Sequence, residues 1–202
     1  MTRPDGARSG GRLPPPDARQ RLEQAALVLY DRHGYDQTTT QIAQQAGLAQ
    51  RTFFRHFADK REVLFGGAHR LQEFLVRGVN DAPASTALLE AVTGAMSAAS
   101  EVFPAERDLS RQRQRIIAAN PELQEREQIK LTSLSAALSG ALRERGVPDR
   151  AVRLAADVGI AVFKAAYERW LQEPDQEDFG ELVRDALEEL RAVTNTSERS
   201  RR

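Results

Sequence analysis

Residues 38–60, TTTQIAQQAGLAQRTFFRHFADK, gather the side chains best suited to touching nucleic acid. Gln50 can pair bidentately with adenine and Arg51 or Arg55 with guanine, while the Thr52 methyl can meet a thymine methyl. No Asp or Glu occurs from Gln41 to Ala58, in a chain with 29 acidic residues. An acid-free window of this kind fits a surface that faces phosphates.

Those side chains need two short helices to position them. Ile42, Ala43 and Ala46 give the first an apolar face, and Thr38, Thr39 and Thr40 supply candidate N-caps for it. Gly47 falls where the chain must turn sharply, and the small Ala43 lets the helices cross closely. Leu48, Phe53 and Phe57 fasten the second helix to the core, leaving Gln50, Arg51, Thr52 and Arg55 outside. An ordinary helical hairpin could share the Ala43–Gly47 pattern; the acid-free polar face favours a DNA-reading helix-turn-helix over residues 38–57.

The segment GLAQRTFFRHFADKREVLF, with RLEQAALVLYDRHGYDQTTTQIAQQAGL before it, resembles the tetracycline-repressor (TetR) family of bacterial regulators, over roughly Asp17 to Val79. The resemblance implies that Thr39 caps the second helix and touches a phosphate, with Thr40 near base edges. It implies that Gln50 and Arg51 are the main base readers and Thr52 a supporting contact. Phe54 and His56 then stand at phosphate-contact positions, and Lys60 is a phosphate-binding lysine opening the fourth helix. Two departures stand out. Ala49 replaces the usual Ser or Thr cap, and Phe54 replaces a Tyr whose hydroxyl would reach phosphate.

Composition bounds the alternatives. The chain has 202 residues, zero formal net charge and no cysteine, which excludes disulfides and thiolate metal sites. Residues 1–60 hold 9 Lys+Arg against 6 Asp+Glu, so one end is basic and the remainder acidic, as suits a protein presenting one end to DNA. No apolar run approaches the ~20 residues of a membrane span and no signal-peptide pattern opens the chain; a soluble cytoplasmic protein is expected. Residues 1–16, rich in Gly, Pro and Arg, read as a disordered arm, and residues 196–202 as a frayed tail.

No segment alternates with period two, so the expected fold is all-α with about nine helices. An N-terminal three-helix helix-turn-helix domain (residues 17–62) precedes a helical ligand-binding and dimerisation domain (63–195). The first helix should run from Asp17, its N-cap, to His33, with Leu22, Ala25, Ala26 and Leu29 inward and Gly34 ending it. Tyr35 should pack beneath the unit. A fourth helix is expected from about Lys60 to Val79, a fifth from Ser85 to Ser100, and a break at Phe103–Pro104. Asn120 and Pro121 should start a helix ending near Gly146, Pro148 and Asp149 the next, and the last should end near Asn195.

The last helix carries a single apolar stripe from Phe179 to Val193, whereas the one before it is apolar on two sides. Val152, Ala155, Ala156, Gly159, Phe163 and Ala166 line one side, and Leu154, Val158, Ala161, Val162 and Ala165 another. Two apolar faces call for two partners, the second being another subunit; the family resemblance likewise implies a homodimer through the last two helices. Twofold symmetry would set the recognition helices about 34–36 Å apart on a palindromic operator.

The resemblance also implies a small-molecule effector pocket in the middle of the chain. Candidate walls are Met96, Phe103, Ile117, Leu134, Phe163, Tyr167 and Trp170. Arg111, Arg113 and Arg115, spaced by two, cannot all face one way on a helix; Arg113 or Arg115 is a candidate to neutralise an anionic ligand. RQRQRIIAANPELQE resembles an actinobacterial branch of the family with an acyl-CoA-like sensor, pointing to a fatty-acyl or similar amphiphile. The expected function is therefore a homodimeric repressor released from DNA by a ligand. A helical protein–protein adaptor is the alternative. An enzyme is disfavoured: no nucleophile elbow, phosphate-cradling loop or HExxH pattern appears, and neither metal nor cofactor is expected.

Overall fold

The structure, a computed structural model, describes residues 17–101, 107–146, 148–172 and 178–195. Among them are nine α-helices and no strand: α1 (Ala18–His33), α2 (Thr39–Gln45), α3 (Gln50–His56), α4 (Ala68–Asp81), α5 (Leu88–Ser97), α6 (Arg107–Ala118), α7 (Pro121–Glu144), α8 (Asp149–Gln172) and α9 (Phe179–Asn195). None of the described helices is long and apolar enough to cross a membrane. The sequence-predicted arm, the Phe103–Pro104 break and the tail lie outside the described residues.

α1 begins as expected. The Asp17 carboxylate accepts from the Gln20 amide at 2.8 Å, and the Gln20 side chain accepts from the Asp17 amide at 3.2 Å, a reciprocal cap that satisfies two otherwise orphan donors. Gly34 ends the helix at φ +79°, a conformation that penalises any side chain. Leu22, Ala25, Ala26 and Tyr30 are buried, and Tyr35 packs edge-on to Tyr30 with ring centroids 5.0 Å apart.

Two expected helix starts move, and one expected cap turns away. The anticipated fourth helix divides: residues 62–65 form a 3-10 turn and α4 starts at Ala68, after Gly66 and Gly67. Lys60 therefore sits in the turn before that segment and opens no helix. Ser85 does not cap α5, which starts at Leu88 with Ala87 at the N-cap position and ends at Ser97, followed by a 3-10 turn. Asn120 and Pro121 start α7 as expected, but the Asn120 side chain turns back and donates to the Ile116 carbonyl at 2.6 Å. It closes the end of α6 instead of capping α7.

Two apolar cores result. The larger gathers α4, α5, α7, α8 and α9, with α8 packed against α5, α7 and α9. Gly159 lies where α8 meets α5; a Cβ there would collide with Val92. α9 buries Phe179, Leu182, Val183, Ala186 and Leu187, each large one contributing about 1.5–3 kcal/mol. Arg145 at the end of α7 donates to the carbonyls of Val79, Ala82 and Pro83 at 2.6–3.0 Å, fastening the end of α4. The smaller core holds α1–α3 and Val63–Phe65, and it takes in Ile116, Ile117 and Leu123 from α6 and α7.

Candidate nucleic-acid interface

α3 is held from beneath and open above. Phe53 and Phe57 are buried, with ring centroids 5.5 Å apart. Gln50, Arg51, Phe54 and Arg55 are exposed, and Thr52 and His56 are half-buried. Phe54 is 53 % exposed, an apolar ring amid hydrogen-bonding side chains, set edge-on to Phe53. Ala49 occupies the N-cap position and makes no side-chain cap. The first amides of α3 thus lack a hydroxyl partner, as the alanine predicts.

α2 enters through Thr38. Its hydroxyl accepts from the Gln41 amide at 3.3 Å, and the Gln41 carboxamide oxygen accepts from the Thr38 amide at 2.8 Å. The cap is therefore Thr38, correcting the expectation for Thr39, because Thr39 already lies in the first helical turn. Thr39 has a different contact: its hydroxyl oxygen accepts from Gln50 Nε2 at 3.3 Å. That bond joins the openings of α2 and α3 and orients a base-reading candidate. Thr40 is half-buried beside it.

The turn between the two helices rests on Gly47 at φ +66°, where the Leu48 amide reaches back to the Ala43 carbonyl at 2.8 Å. Sequence reasoning missed its support. Arg21 of α1 donates from Nη2 to the Ala46 carbonyl at 2.5 Å, a charge-assisted closure of the α2 end. Arg19 lies 4.8 Å from the Phe57 ring centroid and donates to the Gly66 carbonyl at 2.9 Å. Lys60 donates to the Tyr35 carbonyl at 3.2 Å with its ammonium 4.1 Å from the Tyr35 ring centroid. Its charge is thereby held at the edge of the α1–α3 unit. His56 turns its Nε2 into a buried position without a hydrogen-bond partner among the described residues.

Beneath this surface runs a set of ionic ties. Asp59 accepts from the amides of Arg61 and Glu62 at 2.8 and 3.2 Å and from the Arg61 guanidinium; the Arg61 hydrogen bond leads in holding its carboxyl below the usual range. Burial would raise Glu62, but hydrogen bonds from Lys130 and Arg126 of α7 outweigh it and hold that carboxyl below 4.5. The Lys130 contact is 2.9 Å. An Asp three residues before a Glu was the available signal, since that spacing marks a helical start; the α7 partners had none.

The arginines of α6 separate as their spacing requires. Arg111 donates to the Leu171 carbonyl near the end of α8 at 2.7 Å. Arg113 donates to the Leu64 carbonyl and lies 5.1 Å from the Phe65 ring centroid. Arg115 is exposed. The candidate pocket walls also divide. Met96, Leu134, Phe163, Tyr167 and Trp170 belong to the larger core, whereas Ile117 belongs to the smaller one; Phe103 lies outside the described residues. Phe163, Tyr167 and Trp170 do come together, successive ring centroids being 6.0 and 5.8 Å apart, with the Arg107 guanidinium 4.9 Å from the Trp170 ring centroid. On the exposed face of α2, Gln41, Gln44 and Gln45 join Leu29, His33 and Gln37 around an open hollow of about 480 Å³.

Comparison with known proteins bears on both halves. Residues 23–65 match the family model described as bacterial regulatory proteins, tetR family, and residues 86–195 match that of the MftR C-terminal domain. The chain is 38 % identical over 81 residues to the HTH-type transcriptional regulator TcmR of Streptomyces glaucescens, covering 40 % of this chain and 36 % of that protein. It is 26 % identical over 156 residues to the transcriptional regulator MftR of Mycobacterium tuberculosis, covering 75 % and 79 %. Among solved structures, the SmeT–triclosan complex superposes with a TM-score of 0.58 at 21 % identity, covering 87 % of this chain and 90 % of that one. FadR of Bacillus subtilis in complex with stearoyl-CoA does so with 0.55 at 21 % identity, covering 83 % and 95 %. At such identities the superpositions speak for the fold.

Proposed function

The chain belongs to the TetR family of bacterial transcriptional regulators, and from that premise we propose that it is a homodimeric repressor whose α3 helices read a palindromic operator and whose hold on DNA is released by a small amphiphile. The observation that carries the reading is the outer face of α3, where Gln50, Arg51 and Arg55 are exposed over a base of buried Phe53 and Phe57.

In the major groove Arg51 pairs with guanine and Gln50 with adenine, the latter pre-positioned by its bond to Thr39. Thr52 supports them. Thr40 stands near base edges, while Thr38 and Thr39, with Arg55, His56 and Lys60, meet the sugar–phosphate backbone, which sets register without reading sequence. Phe54 offers its ring to a sugar or a thymine methyl. Dimerisation through α8 and α9 repeats the arrangement about 34–36 Å away.

Release needs an effector that binds the two states unequally. The rings of Phe163, Tyr167 and Trp170, with Arg107 and Arg111 at their margin, favour a ligand with an apolar body and an anionic end. α6 is the element able to pass a displacement on: it is tied to α8 through Arg111 and to the DNA-reading unit through Arg113, Ile116 and Ile117.

Gel-shift with DNA flanking the chain's own gene tests the reading. Sequence-specific binding that Arg51→Ala or Gln50→Ala weakens, with discrimination relaxed at the base each one reads, is expected, as is its loss when a fatty-acyl thioester is added. Binding that falls with salt and shows no preference of sequence overturns the operator reading.

A further inference from the structure

α5, α7 and α9 pack around α8, and the side left outward is a stripe at spacings of three and four. Along it Arg153, Leu154, Asp157, Ala161, Lys164 and Glu168 are exposed, Leu154 to 65 %. We infer that this stripe docks on the same stripe of a second copy of the chain, antiparallel, in a register set by Asp157 meeting Lys164 of the partner subunit. The inference rests on the homodimer proposed above and adds what selects the partner.

The argument is one of symmetry. A twofold axis crossing two antiparallel helices places each residue opposite the one equally far beyond the crossing point. Asp157 and Lys164 share a midpoint between Ile160 and Ala161, and Arg153 and Glu168 share the same midpoint. Both pairs are of opposite sign, and the axis makes each of them twice. A parallel pairing in register would set Asp157 on Asp157 and Lys164 on Lys164, so the charge order selects one direction.

Side-chain size agrees with that crossing point. Ala161 is exposed there, with half-buried Val158 and Ala165 beside it, and small groups let helices approach to about 8–10 Å. The charges are also available. Lys164 and Glu168 stand in no ion pair among the described residues, while Arg153 and Asp157 approach only to 3.8 Å on the same helix, both well exposed. An exposed pair of that kind binds weakly and can be exchanged for contacts across the axis. Asp157 accepts the Ser135 hydroxyl of α7 through Oδ1 at 2.5 Å, which leaves Oδ2, the oxygen 3.8 Å from Arg153, for a contact across the axis. An unrelated protein would have to reproduce this order of charges to fit; a second copy does so by symmetry, and a relative with another order is rejected by like charges.

Sedimentation and native mass spectrometry of the full chain test this. The wild type is expected as a dimer. D157K or K164D alone places like charges across both symmetric contacts and should weaken self-association about tenfold or more, while circular dichroism shows each variant folded. Mixing the two variants should restore a mixed dimer, because each now presents the charges the other lacks. The double variant D157K/K164D should pair with itself and exclude the wild type. A wild-type dimer whose single variants associate unchanged, or combine at random when mixed, overturns the register while leaving the homodimer standing. A wild type that stays monomeric overturns both.

Discussion

Arg113 of α6 donates from Nε to the carbonyl oxygen of Leu64 at 2.5 Å and spreads its guanidinium over Phe65. One side chain thus grips the segment leaving the DNA-reading unit from 49 residues away. A hydrogen bond from a charged donor contributes about 1.5–3 kcal/mol. Arg113→Ala should therefore lower stability to urea by about that much. Arg113→Lys should recover only part of it, since an ammonium lacks the planar face that lies over Phe65. The readout is the unfolding midpoint of each variant.

Glu62 supplies a pH signature. Its carboxyl is held below its ordinary 4.5 because the hydrogen bonds from Lys130 and Arg126 outweigh burial. A depressed folded value means that the stabilisation is complete above the unfolded value and is lost as pH falls through the folded one. Wild type should thus exceed Glu62→Gln in stability at pH 7, with the gap closing only below about pH 4.5. A gap that stays constant to pH 3 in denaturant titrations contradicts this origin.

Phe53 and Phe54 are neighbours with opposite roles. Phe53→Ala empties a fully buried site and should cost about 3–5 kcal/mol, enough to unfold the helix-turn-helix unit. Phe54→Ala removes a half-exposed ring, and its melting temperature should hardly move, within about 0.5 kcal/mol. If its ring meets DNA, Phe54→Ala binds operator more weakly while remaining folded. Calorimetry alongside gel-shift separates the two.

Arg51 and Lys60 should part company in salt titrations. Arg51→Ala is expected to lose about 1–3 kcal/mol of discrimination at one base position. Lys60→Ala should weaken every sequence alike and reduce the salt slope by about 1. Because Lys60 also donates to the Tyr35 carbonyl, some thermal stability should go with it.

Local chemistry made much of this molecule legible in advance. Asp17, Gly34, Gly47, Pro121 and Asp149 mark boundaries through caps and turns that depend only on neighbours in the chain. The buried side of α8 followed from spacing. The break at Gly66–Gly67 did not, because Val63 and Leu64 before it and Leu71, Phe74 and Leu75 after it keep a helical rhythm across a turn that is not α-helical. Asn120 was readable as a position but not as a direction: whether its amide caps forward or donates backward depends on where α6 ends. Within the reading surface, residue types and exposure could be argued from α3 alone. The supports from Arg19, Arg21, Arg113, Arg126 and Lys130 are long-range pairings, and nothing in a linear pattern says which of 26 arginines meets which carbonyl.

Ile116, Ile117 and Leu123 sit in the same apolar cluster as Leu22, Ile42 and Phe53. The consequence concerns interchangeability. A chimera that grafts another regulator's operator specificity onto this sensor at residue 67 would carry over α1–α3 but leave their floor behind. The foreign unit would then rest on a mismatched isoleucine pair. Transplanting specificity here means changing the outward side chains of α3 in place, or moving the α6–α7 corner together with the unit it underpins.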